Sequence, residues 1–461
     1  MKLYNTLTRQ KEELKTIKEG EVGIYACGPT VYNFIHIGNA RPICVFDVLR
    51  RFLEWRGIHV RYIQNFTDVD DKIIKKANEE GVPSTDISER YIGEYKKDAA
   101  GLNILEATVH PKVTENMENI IEFVHTLVKK GAAYQSGGDV YFRTAAFSEY
   151  GKLSHMPLEE LEAGARIDIS EQKEHPMDFA LWKAAKEGEP FWESPFGKGR
   201  PGWHIECSAM ARRYLGESID IHCGGQDLIF PHHENEIAQS ESANGKPYAH
   251  FWLHNGYINV DNKKMSKSEG NFFTVREISE KYGYEPIRFL VISAHYRSPL
   301  NFSKEALEQS VSALDRLYSC KSNLDFALEK ALSGTLSEEQ KQLAEKRKQQ
   351  FITAMEDDFN VADAIAALFE LTRDINSMLS TASKEELLYA KAIFDELAGV
   401  LGLLYERKTS EIPLEIEELA QRRDTARKEK EFALADRLRD ELREKGYVVE
   451  DTPKGIRIVK L

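Results

Sequence analysis

The chain has 461 residues, and its 62 Lys and Arg against 75 Asp and Glu give a net charge of −13. That balance excludes a nucleic-acid binder driven by overall charge and leaves a local basic face as the way to hold RNA. With 42% hydrophobic and 30% charged residues the chain reads as globular, and no run of about 18 apolar residues is present to span a membrane.

A single hydrophobic core stops growing well below this length, so two or more domains are expected. The opening Met1-Lys-Leu-Tyr-Asn lacks the apolar segment of a secretory signal. The five cysteines, Cys27, Cys44, Cys207, Cys223 and Cys320, are few and far apart. They suit a reducing cytoplasm, with any special cysteine acting as metal ligand or nucleophile rather than in a disulfide framework.

The first elements alternate. Val22 to Ala26 predicts a first strand that ends at the turn Cys27-Gly-Pro-Thr30, and apolar residues at helical spacing predict a helix from His36 to about Trp55, closed by Gly57. Val60 to Phe66 predicts a second strand and Asp68 to Glu80 the next helix. This β-α-β-α order implies a parallel, doubly wound sheet with right-handed crossovers. Residues 115–131 read as an amphipathic helix, and Ala133 to Arg143 as a hairpin turning at Ser136-Gly-Gly-Asp139. Residues 150–202, rich in Pro and Gly, read as loops inside an insertion. The α/β pattern returns from Gly202 to Ser298. Residues 303–405 read as helices broken at Ser333-Gly334, 413–446 as two charged helices, and 447–460 as a small hairpin.

The chemistry begins with His36-Ile-Gly38-Asn39, placed after a strand and opening a helix. Phosphates sit at helix N-termini in such sheets, a Gly admits a nucleotide to the backbone, and a His can donate to phosphate oxygens. A lone His-x-Gly also arises by chance. Far downstream lies Lys264-Met265-Ser266-Lys267-Ser268, whose two lysines suit a mobile lid over a triphosphate or, taken alone, an ordinary solvated loop.

Pro231-His232-His233-Glu234-Asn235-Glu236 is the densest run of ligand-type residues. On a helix started by Pro231, His232 and Glu236 share one face and can grip one ion. Cys27, on the edge where a ligand should bind, and Cys207, before a helical stretch, would complete a set suited to zinc. Against this, no Cys-x-x-Cys pair exists, and single cysteines are commonly small buried hydrophobes.

In this order and spacing the two nucleotide motifs resemble the paired signatures of class I aminoacyl-tRNA synthetases. Cys27 to Arg41, Phe66-Thr-Asp-Val-Asp-Asp-Lys72, Gly202-Trp-His-Ile-Glu-Cys207, Phe230 to Gln239 and His254 to Val260 narrow the resemblance to the cysteinyl-tRNA synthetase family. The match is dense over residues 1–300 and thinner to the end, where Asp451-Thr-Pro-Lys-Gly is also family-like. One departure is Asn39, which stands where the family's first motif usually has a His, and it carries no charge.

The resemblance implies an α/β fold: a Rossmann-like catalytic domain in halves 1–114 and 201–302, a connective insertion 115–200, a helical bundle 303–405 and a small anticodon-binding domain 406–461. It implies activation of L-cysteine by ATP, transfer to tRNA(Cys), one zinc ion held by Cys27, Cys207, His232 and Glu236, and magnesium with the ATP. His36, Lys264 and Lys267 would stabilise developing charge. Gly38, Asn39, Met265, Ser266 and Ser268 would hold the nucleotide. Gly28, Thr67, Trp203 and Asp227 would line the substrate pocket, although Trp203 also reads as core and Asp227 as an ordinary turn residue. A cytoplasmic monomer is expected. Two rival readings are a cysteine ligase acting on an amino-sugar and a catalytically silent RNA-binding paralogue. The two lysines of the lid tell against the silent paralogue, and the charged tail tells against the amino-sugar.

Overall fold

The structure is a computed structural model and describes residues 1–156, 172–261, 263–264, 273–405, 413–452 and 455–460. Two compact units are present. One comprises Met1–Val311 with Thr353–Asp363 and Val400–Gly402; the other comprises Ser312–Ile352 with Ala364–Gly399 and Leu403–Leu461.

The first unit opens with a hairpin, β1 (Lys2–Asn5) and β2 (Gln10–Glu13), followed by β3 (Glu21–Ala26). The strand expected to come first is therefore third. The hairpin is legible only afterwards, because Lys2 to Glu13 holds few apolar residues at period two. Helix α1 (Ile37–Trp55), β4 (His59–Gln64), α2 (Asp71–Glu80) and α3 (Ser84–Gly101) follow. The helix expected from Asp68 begins three residues later. Asp70 caps it by accepting the Lys72 backbone N–H at 2.9 Å, and the Asp68 carboxylate accepts from the Thr114 backbone N–H at 3.1 Å.

Next come α4 (Met117–Lys129), β5 (Ala133–Ser136), β6 (Asp139–Phe142), β7 (Phe179–Ala184) and β8 (Gly199–Pro201). These strands form one antiparallel sheet in the order β5-β6-β7-β8, so part of the stretch expected to be loop carries strands. Trp182 and Phe142 are buried in it. The Pro and Gly residues that suggested loop mark its connections and the short strand β8.

The chain returns through α5 (Trp203–Leu215), β9 (Ile219–Gly225), α6 (Glu234–Asn244) and β10 (Ala249–Asn255). β11 (Ile258–Val260), β12 (Lys263–Lys264), α7 (Val275–Tyr282), α8 (Glu285–Ser293) and β13 (Leu300–Phe302) complete this half. The central sheet is parallel throughout, in the order β10-β9-β3-β4. Its winding reverses between β3 and β9, and a doubly wound sheet binds its ligand at the strand ends beside such a reversal. Helix α1 packs on β4, β9 and β10, and α5 packs on β3 and β4. Near-continuous apolar runs such as Val22 to Ala26 follow from burial on both faces.

After β13 the chain is helical: α9 (Lys304–Lys330), α10 (Glu338–Glu356), α11 (Val361–Met378) and α12 (Lys384–Leu401). Last come α13 (Leu414–Lys428), α14 (Phe432–Glu444) and the hairpin β14 (Tyr447–Thr452) with β15 (Gly455–Lys460). These last elements share a core of their own built on Ile416, Leu419, Leu438, Leu442, Tyr447 and Val449. Among the described residues no helix is long and apolar enough to cross a membrane.

Candidate active site and metal centre

A cavity of about 1190 Å³ lies over the carboxyl ends of β3 and β9, where the winding reverses. Its walls include Ala26 to Thr30, His36, Gly38, Asn39, Trp203, Gly224 to Phe230 and Asn255 to Asn259. Gly28 is there for steric reasons. A Cβ at this position would meet the Asn65 carbonyl oxygen at 1.5 Å, while the Gly28 N–H donates to the Asn65 side chain at 2.9 Å. The close approach holds Cys27 at the mouth of β3.

His36 is the N-cap residue of α1, and its own backbone N–H donates to the Asn39 side chain at 3.2 Å. Asn39 thus completes a capping arrangement, with Gly38 beside it on the cavity wall. The lysine-rich loop is framed from both ends. β12, which contains Lys264, pairs with β11, whose Ile258 and Asn259 line the cavity. On the far side, the Ile37 N–H donates to the Phe273 carbonyl at 3.1 Å and the Val275 N–H to the Ile35 carbonyl at 2.9 Å. Both ends of the loop are therefore fastened around the His36 motif. Met265, Ser266, Lys267 and Ser268 lie outside the described residues, as does the side chain of Lys264.

Cys27, Cys207, His232 and Glu236 bring one donor atom each within 4.8 Å of one another. Cys27 Sγ is 3.8 Å from Cys207 Sγ and 3.6 Å from Glu236 Oε1, and His232 Nε2 is 3.1 Å from Glu236 Oε1. Four ligands around one zinc, with bonds of ~2.3 Å to sulfur and ~2.0–2.2 Å to nitrogen and oxygen, form a tetrahedron. Its edges are about 3.8 Å for S–S, 3.6 Å for S–O and 3.4 Å for N–O. The S–S and S–O separations match those edges and the N–O pair, at 3.1 Å, lies slightly inside its edge, so the donor set fits the ion.

His232 does not sit on a regular helix with Glu236, as its spacing suggested. Ile229–His233 form a wider turn, Phe230 is extended, and α6 begins only at Glu234. Adjacent residues of an α-helix diverge by about 100°, so a regular helix would aim the two imidazoles at different neighbours. The wider turn lets both point inward, and both are buried.

The surroundings orient the donors. His232 Nδ1 lies 2.9 Å from His204 Nδ1, and burial keeps His204 well below the ordinary histidine range, hence neutral. The contact through Nδ1 orients the His232 ring and leaves its Nε2 facing Glu236. Burial opposes charge on His232, but the nearby Glu236 carboxylate and the Cys207 sulfur push it up to about 10. Burial would raise Glu236, yet His222 and His232 hold it well below the usual carboxylate range. The hydrogen bond with Cys27 brings Cys207 down to about 6, while burial pushes Cys27 well up.

A second set, Cys27, His222, His233 and Glu236, also meets the distance condition. In it His222 Nε2 contacts Glu236 Oε2 at 2.9 Å, His233 Nδ1 contacts His254 Nε2 at 2.8 Å, and the His222 ring stacks on Trp252. Sequence reasoning left this histidine array unassigned. The signal was there, since His222 interrupts the otherwise apolar Ile219 to Cys223 apart from Asp220.

Trp203 is 42% exposed, and its ring stacks on His232 with centroids 4.3 Å apart. Asp227 lines the cavity on the turn after β9. Thr67 is placed differently from the expectation. It is buried and not among the residues of the cavity wall, and its hydroxyl donates to Glu206 at 3.2 Å. Glu234 is a further unpredicted anchor. Its buried carboxylate accepts the backbone N–H groups of Gly151, Leu153 and Ser154 at 3.0, 3.1 and 2.8 Å.

Residues 13–312 match the family described as tRNA synthetases class I (C) catalytic domain, 350–405 match the DALR domain, and 409–458 match the cysteinyl-tRNA ligase anticodon binding domain. A cysteine–tRNA ligase of Caldicellulosiruptor saccharolyticus is 58% identical over 464 residues, covering 100% of both chains. Another, from Clostridioides difficile, is 56% identical over 463 residues and covers 99% of both. Among solved structures, Mycobacterium tuberculosis methionyl-tRNA synthetase in complex with methionyl-adenylate shares the fold, with a TM-score of 0.61, 15% identity and coverage of 83% of this chain and 89% of that one. Near-full-length identity of this order joins the cavity at the sheet reversal to one family: the chain belongs to the cysteinyl-tRNA synthetases, ligases of class I.

Proposed function

We propose that this chain activates L-cysteine with ATP and transfers the cysteinyl group to the 3′ end of tRNA(Cys), with zinc held by Cys27, Cys207, His232 and Glu236. The observation that carries this reading is that Cys27, clustered with the other three donors, lines the same cavity as His36, Gly38 and Asn39, as does Trp203, whose ring stacks on His232. When bound, zinc supplies a soft Lewis-acid centre that favours thiolate over hydroxyl, which pocket size alone discriminates weakly. The set with both thiols suits zinc better than the set richer in histidine.

In the first step the cysteine carboxylate attacks the α-phosphorus of ATP and pyrophosphate leaves. The chain supplies positioning and charge. Trp203 walls the side-chain end, Asp227 receives the substrate ammonium, and His36 donates to phosphate oxygens at the α1 N-terminus. Lys264 and Lys267 close over the triphosphate with its magnesium. In the second step a terminal ribose hydroxyl attacks the mixed anhydride and AMP leaves. Residues 406–461 read the anticodon in this scheme, which supports an RNA acceptor over an amino-sugar. The working state is a cytoplasmic monomer.

Cysteine-dependent ATP–pyrophosphate exchange, with serine as control, tests the reading. Exchange should occur with cysteine alone, vanish after chelation and return with added zinc. Absence of exchange from folded, zinc-replete protein would leave an RNA-binding paralogue. Exchange that survives chelation would remove zinc from the account of specificity.

A further inference from the structure

We propose that Lys72 is a positioning residue that receives a backbone phosphate of the RNA acceptor end at the cavity rim. The inference rests on the reading above and concerns its second step.

Lys72 stands in the first turn of α2 and lines the cavity together with Tyr32, and its Nζ lies 5.4 Å from the Tyr32 ring centroid. It is solvent-exposed. The segment Phe66 to Lys72 carries three acids that could neutralise it, and each is engaged elsewhere. Asp68 accepts from the backbone and hydroxyl of Thr114. Asp70 caps α2. Asp71 turns to the insertion, pairing with Arg200 of β8 and with Lys183 of β7 at 3.1 Å. Among the described residues no carboxylate pairs with the Lys72 ammonium. In a chain of net charge −13, an uncompensated cation on a cavity wall is a receptor for an anion.

Its side of the sheet points to which anion. The loop containing Lys264 leaves from β12, beside β11, the strand that follows β10 in the chain, and returns against His36. Lys72 follows β4, at the opposite edge of the sheet order β10-β9-β3-β4, where α2 meets the insertion through Asp71. In the functional reading above, triphosphate is served by the Lys264 loop. The Lys72 edge faces the insertion and gives a strand of RNA a way in, with a phosphate on Lys72 and the Tyr32 ring beside the incoming nucleotide.

The test uses the full chain, zinc-replete, with Lys72→Ala and Lys72→Arg. Transfer from preformed cysteinyl-adenylate to tRNA(Cys) is followed in single turnover against RNA and salt concentration, beside ATP–pyrophosphate exchange without RNA. In Lys72→Ala the RNA concentration for half-maximal transfer should rise about tenfold and its salt slope fall by about one. The loss in transfer should exceed the loss in exchange at least fivefold, and Lys72→Arg should recover most of it. A parallel loss with raised KM for ATP would assign the phosphate to ATP and overturn the proposal. Wild-type behaviour of Lys72→Ala in both assays would make Lys72 an ordinary solvated cation and overturn it as well. Failure of the wild-type chain to form cysteinyl-adenylate would instead strike the underlying functional reading.

Discussion

At the scale of single residues, His110 shows how a half-buried imidazole ties stability to pH. Its ring stacks on Phe66, its Nδ1 lies 2.9 Å from the Gln64 carbonyl, and its Nε2 accepts from the Ala107 N–H. One nitrogen donates and the other accepts, so the neutral ring satisfies both bonds. Burial accordingly lowers its pKa below the ordinary 6.5. With the folded value depressed, the unfolded chain binds the extra proton first, so this contribution is present above about pH 6.5 and shrinks as pH falls toward the folded value. Urea midpoints at pH 7.5 and 5.5 should differ less in His110→Gln than in the wild type. An unchanged difference would show that other groups carry the dependence. No pattern announced His110, because its partners are a carbonyl and an amide that only the fold brings near. Cys27, Cys207, His232 and Glu236 stood out as donor types, yet nothing in their spacing placed Cys207 3.8 Å from Cys27.

At the scale of elements, α1 and α8 are joined by a buried ion pair. Asp47 of α1 meets Arg288 of α8 at 2.6 Å, with side chains 2% and 0% exposed. Arg288 also donates to the carbonyls of Leu102 and Leu401, each at 2.9 Å. The two partners are not equivalent. Asp47 keeps Arg51 and the Leu105 N–H if Arg288 is lost, whereas loss of Asp47 takes from the fully buried Arg288 guanidinium the carboxylate that it meets at 2.6 Å. Asp47→Ala should therefore destabilise the catalytic unit by about 3–5 kcal/mol, and Arg288→Met by less. Calorimetric midpoints would check the order, and a reversed order would contradict the asymmetry. Helix α1 itself was legible from its apolar spacing. The strands of the insertion were not, because they are short and surrounded by Pro and Gly. The start of α2 was mistaken because Asp68 and Asp70 both looked like first-turn acids, and only Asp70 caps.

At the scale of the whole molecule, the alternation of the first 80 residues disclosed the parallel sheet, and the two motifs disclosed the family. The N-terminal hairpin stayed hidden because polar strands lack an alternating pattern. The segment 413–460 packs around its own apolar core, which predicts a clean separation of activities. A chain ended after Tyr405 should keep cysteine-dependent exchange within about twofold and lose at least about tenfold in aminoacylation of tRNA(Cys). Full aminoacylation by the shortened chain would remove these last elements from RNA selection.

The metal centre is assembled across long distances in sequence: Cys27 and Cys207 are 180 residues apart, and Cys27 and Glu236 are 209 apart. A local Cys-x-x-Cys pair can seize an ion while a chain is still emerging from the ribosome. This quartet cannot. Its two thiols meet only after β3 and α5 have docked, and its carboxylate arrives later still in synthesis. On the proposed reading, metallation is thus a late event in the life of each molecule and reports that β3 and α5 have docked. On that same reading, zinc shortage would be felt first as lost activation of cysteine.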